Sequence, residues 1–189
     1  MRVAKKATFL LFLVVAYVWP QGYGVMNWTG PGVAIVTASF TRPADANIYA
    51  ANDVVGNTGA PAVLTFANAC RVAGGSGYIT KMRLFTSQST NVALYRLQLY
   101  TTAPAAIADN APFTLLLANQ ATRASYIDIG PASTEGVGSD AANGLNADVR
   151  LAFKCAAAST SLFGILETKT IFTPDNAQTY FLALAVDQY

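Results

Sequence analysis

The sequence predicts an all-β protein, an antiparallel β-sandwich of jelly-roll-like form with about eight strands, and three observations predict it. Short runs rich in Val, Ile, Leu, Thr, Phe and Tyr recur from residue 33 to residue 186. Several of them alternate apolar and polar side chains with a period of two, as a strand does when one face meets a core and the other meets solvent or a partner. Gly, Asn, Ser and Pro clusters separate the runs, and neither a βαβ rhythm nor a helical pattern longer than about two turns interrupts them.

In order, the runs are 33–40, 63–66, 78–86, 92–100, 126–129, 149–155, 162–170 and 180–186. In the third, Lys81 and Arg83 lie opposite Met82 and Leu84. In the sixth, Val149, Leu151, Phe153 and Cys155 share one face, while Arg150 and Lys154 take the other. In the last, Tyr180, Leu182, Leu184 and Val186 fall on one side. Turn chemistry at 56–59 (GNTG), 74–77 (GGSG), 87–91 (SQSTN) and 174–176 (PDN) punctuates them. Asn110 is placed to cap a short helical turn over 112–118. Two connections are long: the Ala/Pro-rich stretch 101–112, and 130–148, which shows no clear periodicity. Loops beyond about 12–15 residues are uncommon in compact domains and are often functional or disordered.

Two regions divide the 189 residues. Residues 1–25 form a hydrophobic leader, in which Arg2, Lys5 and Lys6 precede the uncharged stretch ATFLLFLVVAYVW (7–19). A basic start before about 7–15 apolar residues is the pattern of a secretory signal peptide. At about 1.5 Å per residue the stretch rises about 20 Å as a helix, short of a hydrocarbon core of about 30 Å. Three readings stand: a signal peptide, a start site set upstream of Met26, or a retained arm or anchor that would touch a membrane. Residues 26–189 form a single β-sandwich domain. Without the leader the chain carries nine Lys/Arg against ten Asp/Glu, so its slight basicity belongs to the leader. That weakens any electrostatic case for nucleic acid as the partner.

Composition narrows the chemistry. Charged residues make up 12% of the chain, about half the usual ~25% of a soluble domain, and 53% of residues are hydrophobic, which excludes a disordered chain. There is no histidine, so Ser–His and Cys–His dyads, the HExxH zinc site and imidazole proton switches are all excluded. The only two glutamates are Glu135 and Glu167, and no spacing brings a carboxylate pair together as glycoside hydrolysis requires. Asp140, Asn143, Asn146 and Asp148 cluster beside Gly144 without the spacing of a calcium loop, and read as turn residues. Gly74–Gly77 lacks the phosphate-loop frame and precedes a strand, so it too reads as a turn. The two thiols read first as small buried hydrophobes, Cys155 lying on an apolar strand face; a disulfide between Cys70 and Cys155 follows if the leader exports the chain. Asn27-Trp28-Thr29 matches the glycosylation sequon, which matters only in a eukaryotic secretory setting.

A longer pattern carries more. Residues 38–56 read ASFTRPADANIYAANDVVG, followed by LTFANACRVAGGSGYITKMRLFTSQ at 64–88 and LQLYTTAP at 97–104. APFTLLLANQATRASYIDIG (111–130) and LFGILETKTIFTPDNAQTYFLALAV (162–186) complete the order. This resembles a family of tailed-bacteriophage virion proteins, in particular the capsid decoration or cement type with a jelly-roll-like sandwich. The opening S-F-x-R-P…Y-A-x-x-D-V-V-G (Ser39, Phe40, Arg42, Pro43, Tyr49, Ala50, Asp53, Val54, Val55, Gly56) carries it most specifically.

The resemblance implies a virion structural protein with no enzymatic activity, which binds the major capsid protein as a homo-oligomer and stabilises the shell. It implies no cofactor, no metal, no nucleic acid and no small-molecule substrate. Assembly is expected in the host cytoplasm and residence on the capsid surface, with export only if residues 1–25 are a signal peptide. Phe40, Arg42, Pro43, Lys81, Arg83, Arg150 and Lys154 are the candidate capsid or oligomer interface. Composition is compatible, since Ser, Thr, Asn and Gln total 45 against 22 charged residues, and interface centres are depleted of charge. The alternatives are a tail or head-fibre component, or an exported β-sandwich that binds carbohydrate or a cell surface.

Overall fold

The computed structural model describes residues 32–57, 63–88, 93–131, 133–134 and 142–189, with backbone alone at 133–134 and 142–147. The leader at 1–25, the sequon at 27–29, Asp140 and parts of the turns at 56–59 and 87–91 lie outside the described residues.

All eight expected runs form strands, and two short ones join them. β1 is Gly32–Thr41, β2 Val54–Val55, β3 Leu64–Phe66, β4 Ser76–Thr86 and β5 Tyr95–Tyr100. A single helical turn, α1 (Leu117–Gln120), precedes β6 (Arg123–Ile129). Then follow β7 (Ser133–Thr134), β8 (Ala142–Lys154), β9 (Leu162–Thr168) and β10 (Thr179–Gln188).

The strands form two antiparallel sheets, β1-β10-β4-β8-β7 and β2-β9-β5-β6, with β3 also paired to β9. β2 and β3 follow one another along the same strand, β2 opposite Leu166 and Glu167 and β3 opposite Leu162 to Gly164. Counted together they act as one interrupted strand, and β7 is an added edge. The eight main strands then pair first with last, second with seventh, third with sixth and fourth with fifth. A ribbon of nested hairpins rolled into two facing sheets is the jelly-roll arrangement that the strand count and alternation predict.

The core fills the space between the sheets. Val36, Ile79, Met82, Leu84, Leu182 and Leu184 of the first sheet are buried in one cluster with Phe66, Tyr95, Leu97, Leu99, Ile127 and Leu166 of the second. Fully burying one such side chain stabilises by roughly 1.5–3 kcal/mol, so this layer dominates the fold's free energy. The approach is close at Gly164, where an added Cβ would stand 2.9 Å from Leu97 Cδ1 and 3.1 Å from Phe66 Cε2.

Three expectations need correction. The connection 130–148 is not a bare loop: its backbone forms β7 and then, from Ala142, the first half of β8 against β4. Leu145, Ala147 and Val149 continue the period-two apolar pattern of Leu151 and Phe153 upstream, and the interleaved Asn, Gly and Asp masked it. Asn110 caps no helix. It sits at φ 58° in a turn, its N–H donating to the Val54 carbonyl, and α1 starts at Leu117 without a side-chain cap. Cys70 and Cys155 are not free thiols but one disulfide, with a Cα–Cα distance of 6.3 Å. The cause is the β4–β8 pairing: Ser76 stands opposite Lys154, so the chain entering β4 runs beside the chain leaving β8, and Cys155 N–H donates to the Gly75 carbonyl at 2.9 Å.

Candidate functional site

The family-like motif at 39–56 folds into a buried clasp. β1 ends at Thr41, and Arg42 turns inward with 1% of its surface exposed. Its five N–H groups meet five acceptor contacts: Nε donates to Tyr49 Oη, Nη1 to the carbonyls of Asp45 and Asp175, and Nη2 to Asp45 Oδ1 and Asp109 Oδ2, both at 3.2 Å. The Tyr49 hydroxyl donates onward to Asp109 Oδ1 at 2.5 Å, and the Gly56 N–H donates to the same oxygen at 2.8 Å. Asp53 Oδ2 accepts the Ala50 N–H at 2.6 Å. Backbone bonds knit the loop to its neighbours, Tyr49 to Phe172, Asn52 to Thr168 and Val54 to Ala111.

Burial, then the bond to Asp109 and its charge, raise the Tyr49 pKa. Burial opposes the Arg42 charge, but the Tyr49 bond and the Asp109 and Asp45 carboxylates overcome it, and its pKa is raised. Asp45 and Asp109 thus form a carboxylate pair that the sequence order hid, and a satisfied guanidinium occupies the space between them.

The second sheet is covered over part of its outer side by the β5–β6 connection, while Tyr126 and Asp128 stay exposed. Val54, Tyr100 and Ile165 form a second buried cluster beneath Ile107, Phe113 and Leu115 of the β5–β6 connection. A cavity of about 10 Å³ is what remains between that connection, β2 and β9, too little for a ligand. Farther along, Arg96 holds Asp128 at 2.6 and 3.0 Å and lies 4.1 Å from the centre of the Tyr126 ring. Lys169 pairs with buried Glu167 at 3.2 Å. These charges border a recess of about 350 Å³ whose walls include Arg96, Asp128 and Lys169, so its cations are already matched by acids of the chain.

The first sheet is different. Among the described residues no segment lies across its outer face. Register places Val33, Asp187, Tyr78 and Ala152 in one cross-strand row, and Ile35, Ala185, Lys81 and Asp148 in the next. Thr37, Ala183 and Arg83 make a third, and Ser39, Phe181 and Phe85 a fourth. A bulge at Thr80 keeps both Tyr78 and Lys81 outward. Val33 and Ile35 are 73% and 72% exposed, unusual for large aliphatic side chains on an ordered strand.

The candidate interface residues divide accordingly. Lys81, Arg83, Arg150 and Lys154, assigned in the sequence to two separate runs, come together on the outer face of paired strands β4 and β8, all exposed. Phe40, Arg42 and Pro43 do not join them. Phe40 stacks on Tyr180 at 5.1 Å beside the core, Arg42 is locked in the clasp, and the half-buried Pro43 accepts the Ala177 N–H at 3.2 Å. Arg42 is therefore corrected from a contact residue to a scaffold residue, because its guanidinium has no exposed edge. Sequence reasoning missed Val33 and Ile35, although their alternation with Ala34 and Val36 signalled that β1 carries aliphatics on both faces.

Among the described residues no group of three or more His, Cys, Asp or Glu could hold a metal ion, and no helix is long and apolar enough to cross a membrane. No family model matches the chain, and no curated protein matches it.

Proposed function

We propose that this chain is a structural protein of a tailed-phage virion, a capsid decoration or cement protein that binds the major capsid protein and stabilises the shell. The observation that carries the reading is the asymmetry of the sandwich: among the described residues the β5–β6 connection covers part of the outer face of one sheet, and no segment lies across the flat, partly apolar outer face of the other. A fold alone never assigns a function. A surface of this kind, together with the virion-like order of segments, supports work done by covering area.

The open face spans about 19 Å across four strands at ~4.8 Å and about 23 Å along them at ~3.3 Å per residue, on the order of 400 Å². A standard interface takes about 800 Å² from each partner. One face alone therefore falls short, which supports attachment as a homo-oligomer, several copies gaining from simultaneous engagement. Mass spectrometry of purified virions tests the reading: hundreds of copies per particle are expected, a few to tens would move the chain to a tail or head fibre, and none would overturn it.

The Cys70–Cys155 disulfide favours a second reading, an exported β-sandwich that binds carbohydrate or a cell surface, because such bonds persist in oxidising compartments. N-terminal sequencing of the protein from its producing cells separates the two, since this reading needs residues 1–25 to be removed by cleavage.

A further inference from the structure

We propose that the outer face of the β1-β10-β4-β8 sheet docks on an acidic protein surface with an apolar centre, gripped by Arg83, Arg150 and Lys154. This rests on the reading of the chain as a virion surface protein, and names the chemistry of the shell it touches.

Cations without an ion pair gather on this face: it holds three, and the other two among the described residues are Arg71, in the turn ahead of β4, and Arg123, bonded to Gln98 Oε1 at 2.6 Å. Arg42, Arg96 and Lys169 are each matched by carboxylates of the chain. On the open face Lys81 is matched as well, by Asp148 at 3.4 Å. Arg83, Arg150 and Lys154 form no ion pair among the described residues. They lie in one stripe: Lys154 is opposite Ser76 at the start of β4, and Arg83 stands seven residues farther along that strand. At ~3.3 Å per residue the stripe runs about 23 Å.

Two of the cations are held in place before any partner arrives. The Arg150 guanidinium lies 5.5 Å from the centre of the Tyr78 ring, and that of Arg83 lies 5.2 Å from that of Phe85, which itself stacks on Phe181 at 4.5 Å. A stacked guanidinium leaves the edge of its N–H fork open to accept a carboxylate in bidentate fashion, and the ordering cost of binding falls because the side chain is already placed. Beside the stripe, Ala183 and Ala185 keep the surface flat, and Val33 and Ile35 extend it as an apolar strip toward the β1 edge.

The same features disfavour the other occupants. Single-stranded nucleic acid needs free aromatic faces for its bases, whereas Tyr78 is covered by Arg150 and Phe85 by Arg83 and Phe181. A second copy of the chain offers few acids to match the stripe: Asp45, Asp109, Asp128 and Glu167 are engaged by Arg42, Arg96 or Lys169, Asp148 by Lys81 and Asp53 by the Ala50 N–H, which leaves Asp175 and Asp187 among the described residues.

The test uses virions of the phage encoding the chain, stripped of it, and purified full-length protein added back. Wild-type protein is expected to rebind, with affinity falling steeply as salt rises from about 0.05 to 0.5 M. The triple variant R83E/R150E/K154E is expected to lose at least about tenfold in occupancy while keeping its thermal midpoint. R71E, in the turn ahead of β4, is expected to rebind as wild type does. Undiminished rebinding by the folded triple variant, or rebinding insensitive to salt, would overturn the acidic-partner inference and leave the virion reading standing. Tighter binding to single-stranded DNA than to stripped shells, or self-association that the triple variant abolishes without change in shell occupancy, would overturn it in favour of those partners. Absence of the wild-type chain from untreated virions would instead remove the reading beneath it.

Discussion

Arg42 shows what a single side chain contributes to this fold. Its partners come from positions 45, 49, 109 and 175, so one guanidinium pins three loops that approach from different parts of the chain. Replacing Arg42 with Leu leaves Asp109 buried without its cation, and breaking a buried pair in this way costs about 3–5 kcal/mol. Urea unfolding of Arg42→Leu is expected to show a loss of that size; a change below about 1 kcal/mol would show that the clasp is not a stability element. The buried phenols make a second expectation. Burial and the Tyr95 contact hold the Tyr180 pKa well above its ordinary value, and burial and Asp109 raise that of Tyr49. Below pH ~10 both phenols are protonated folded or unfolded, and their contribution is fully present. Above it the unfolded chain ionises first, so stability falls as pH climbs toward the raised folded values. Thermal midpoints should be level from about pH 8 to 10 and fall beyond, less steeply in Tyr180→Phe; a midpoint rising above pH 10 would contradict the assignment. The S-F-x-R-P motif was legible as a pattern, but its role was not, because two of the groups that bury Arg42, the Asp109 carboxylate and the Asp175 carbonyl, stand 67 and 133 residues away.

At the level of elements, period-two alternation located every main strand, because a residue's face is a local property that the backbone repeat imposes. It failed where small or polar residues replaced the signal. In Ala142–Lys154 the apolar alternation of the sequence begins only at Leu145, between Gly and Asn, and the strand's first half was read as loop. The connection 101–112, read as a long Ala/Pro-rich loop, supplies Ile107 to the cover of the second sheet. Its apolar residues follow no period because they pack from an irregular segment onto a sheet face. The disulfide is also an element-scale feature: pairing of β4 with β8 brings together cysteines separated by 85 residues. Closing a loop of that length removes about 4.6 kcal/mol of unfolded-state entropy in the chain-entropy model, and native disulfides of small domains contribute about 2–5 kcal/mol. Reduction is expected to lower stability in urea by that range while leaving the β-rich circular dichroism spectrum intact. Equal midpoints with and without reductant would show that the bond adds nothing.

For the whole molecule, the decisive property is that its two outer faces differ. Nested hairpin pairing fixes which strands share a sheet, and the long β5–β6 connection covers part of one of the two sheets. The other collects Arg83, Arg150 and Lys154 beside an exposed aliphatic strip. Low charge and the absence of histidine are compatible with work by surface contact, and the strand pairing gathers these cations on one face. The sequence placed the cations on strand faces but could not bring two strands together, since pairing over some seventy residues is a tertiary event. The most direct measurement is a density map of the virion that resolves the orientation of this chain. The expected map shows many symmetry-related copies on the shell, with β4 and β8 facing the major capsid protein and the 101–122 connection facing outward. Copies lying with that connection against the shell and the β4–β8 face in solvent would contradict the docking face, and a shell without this density would contradict the function.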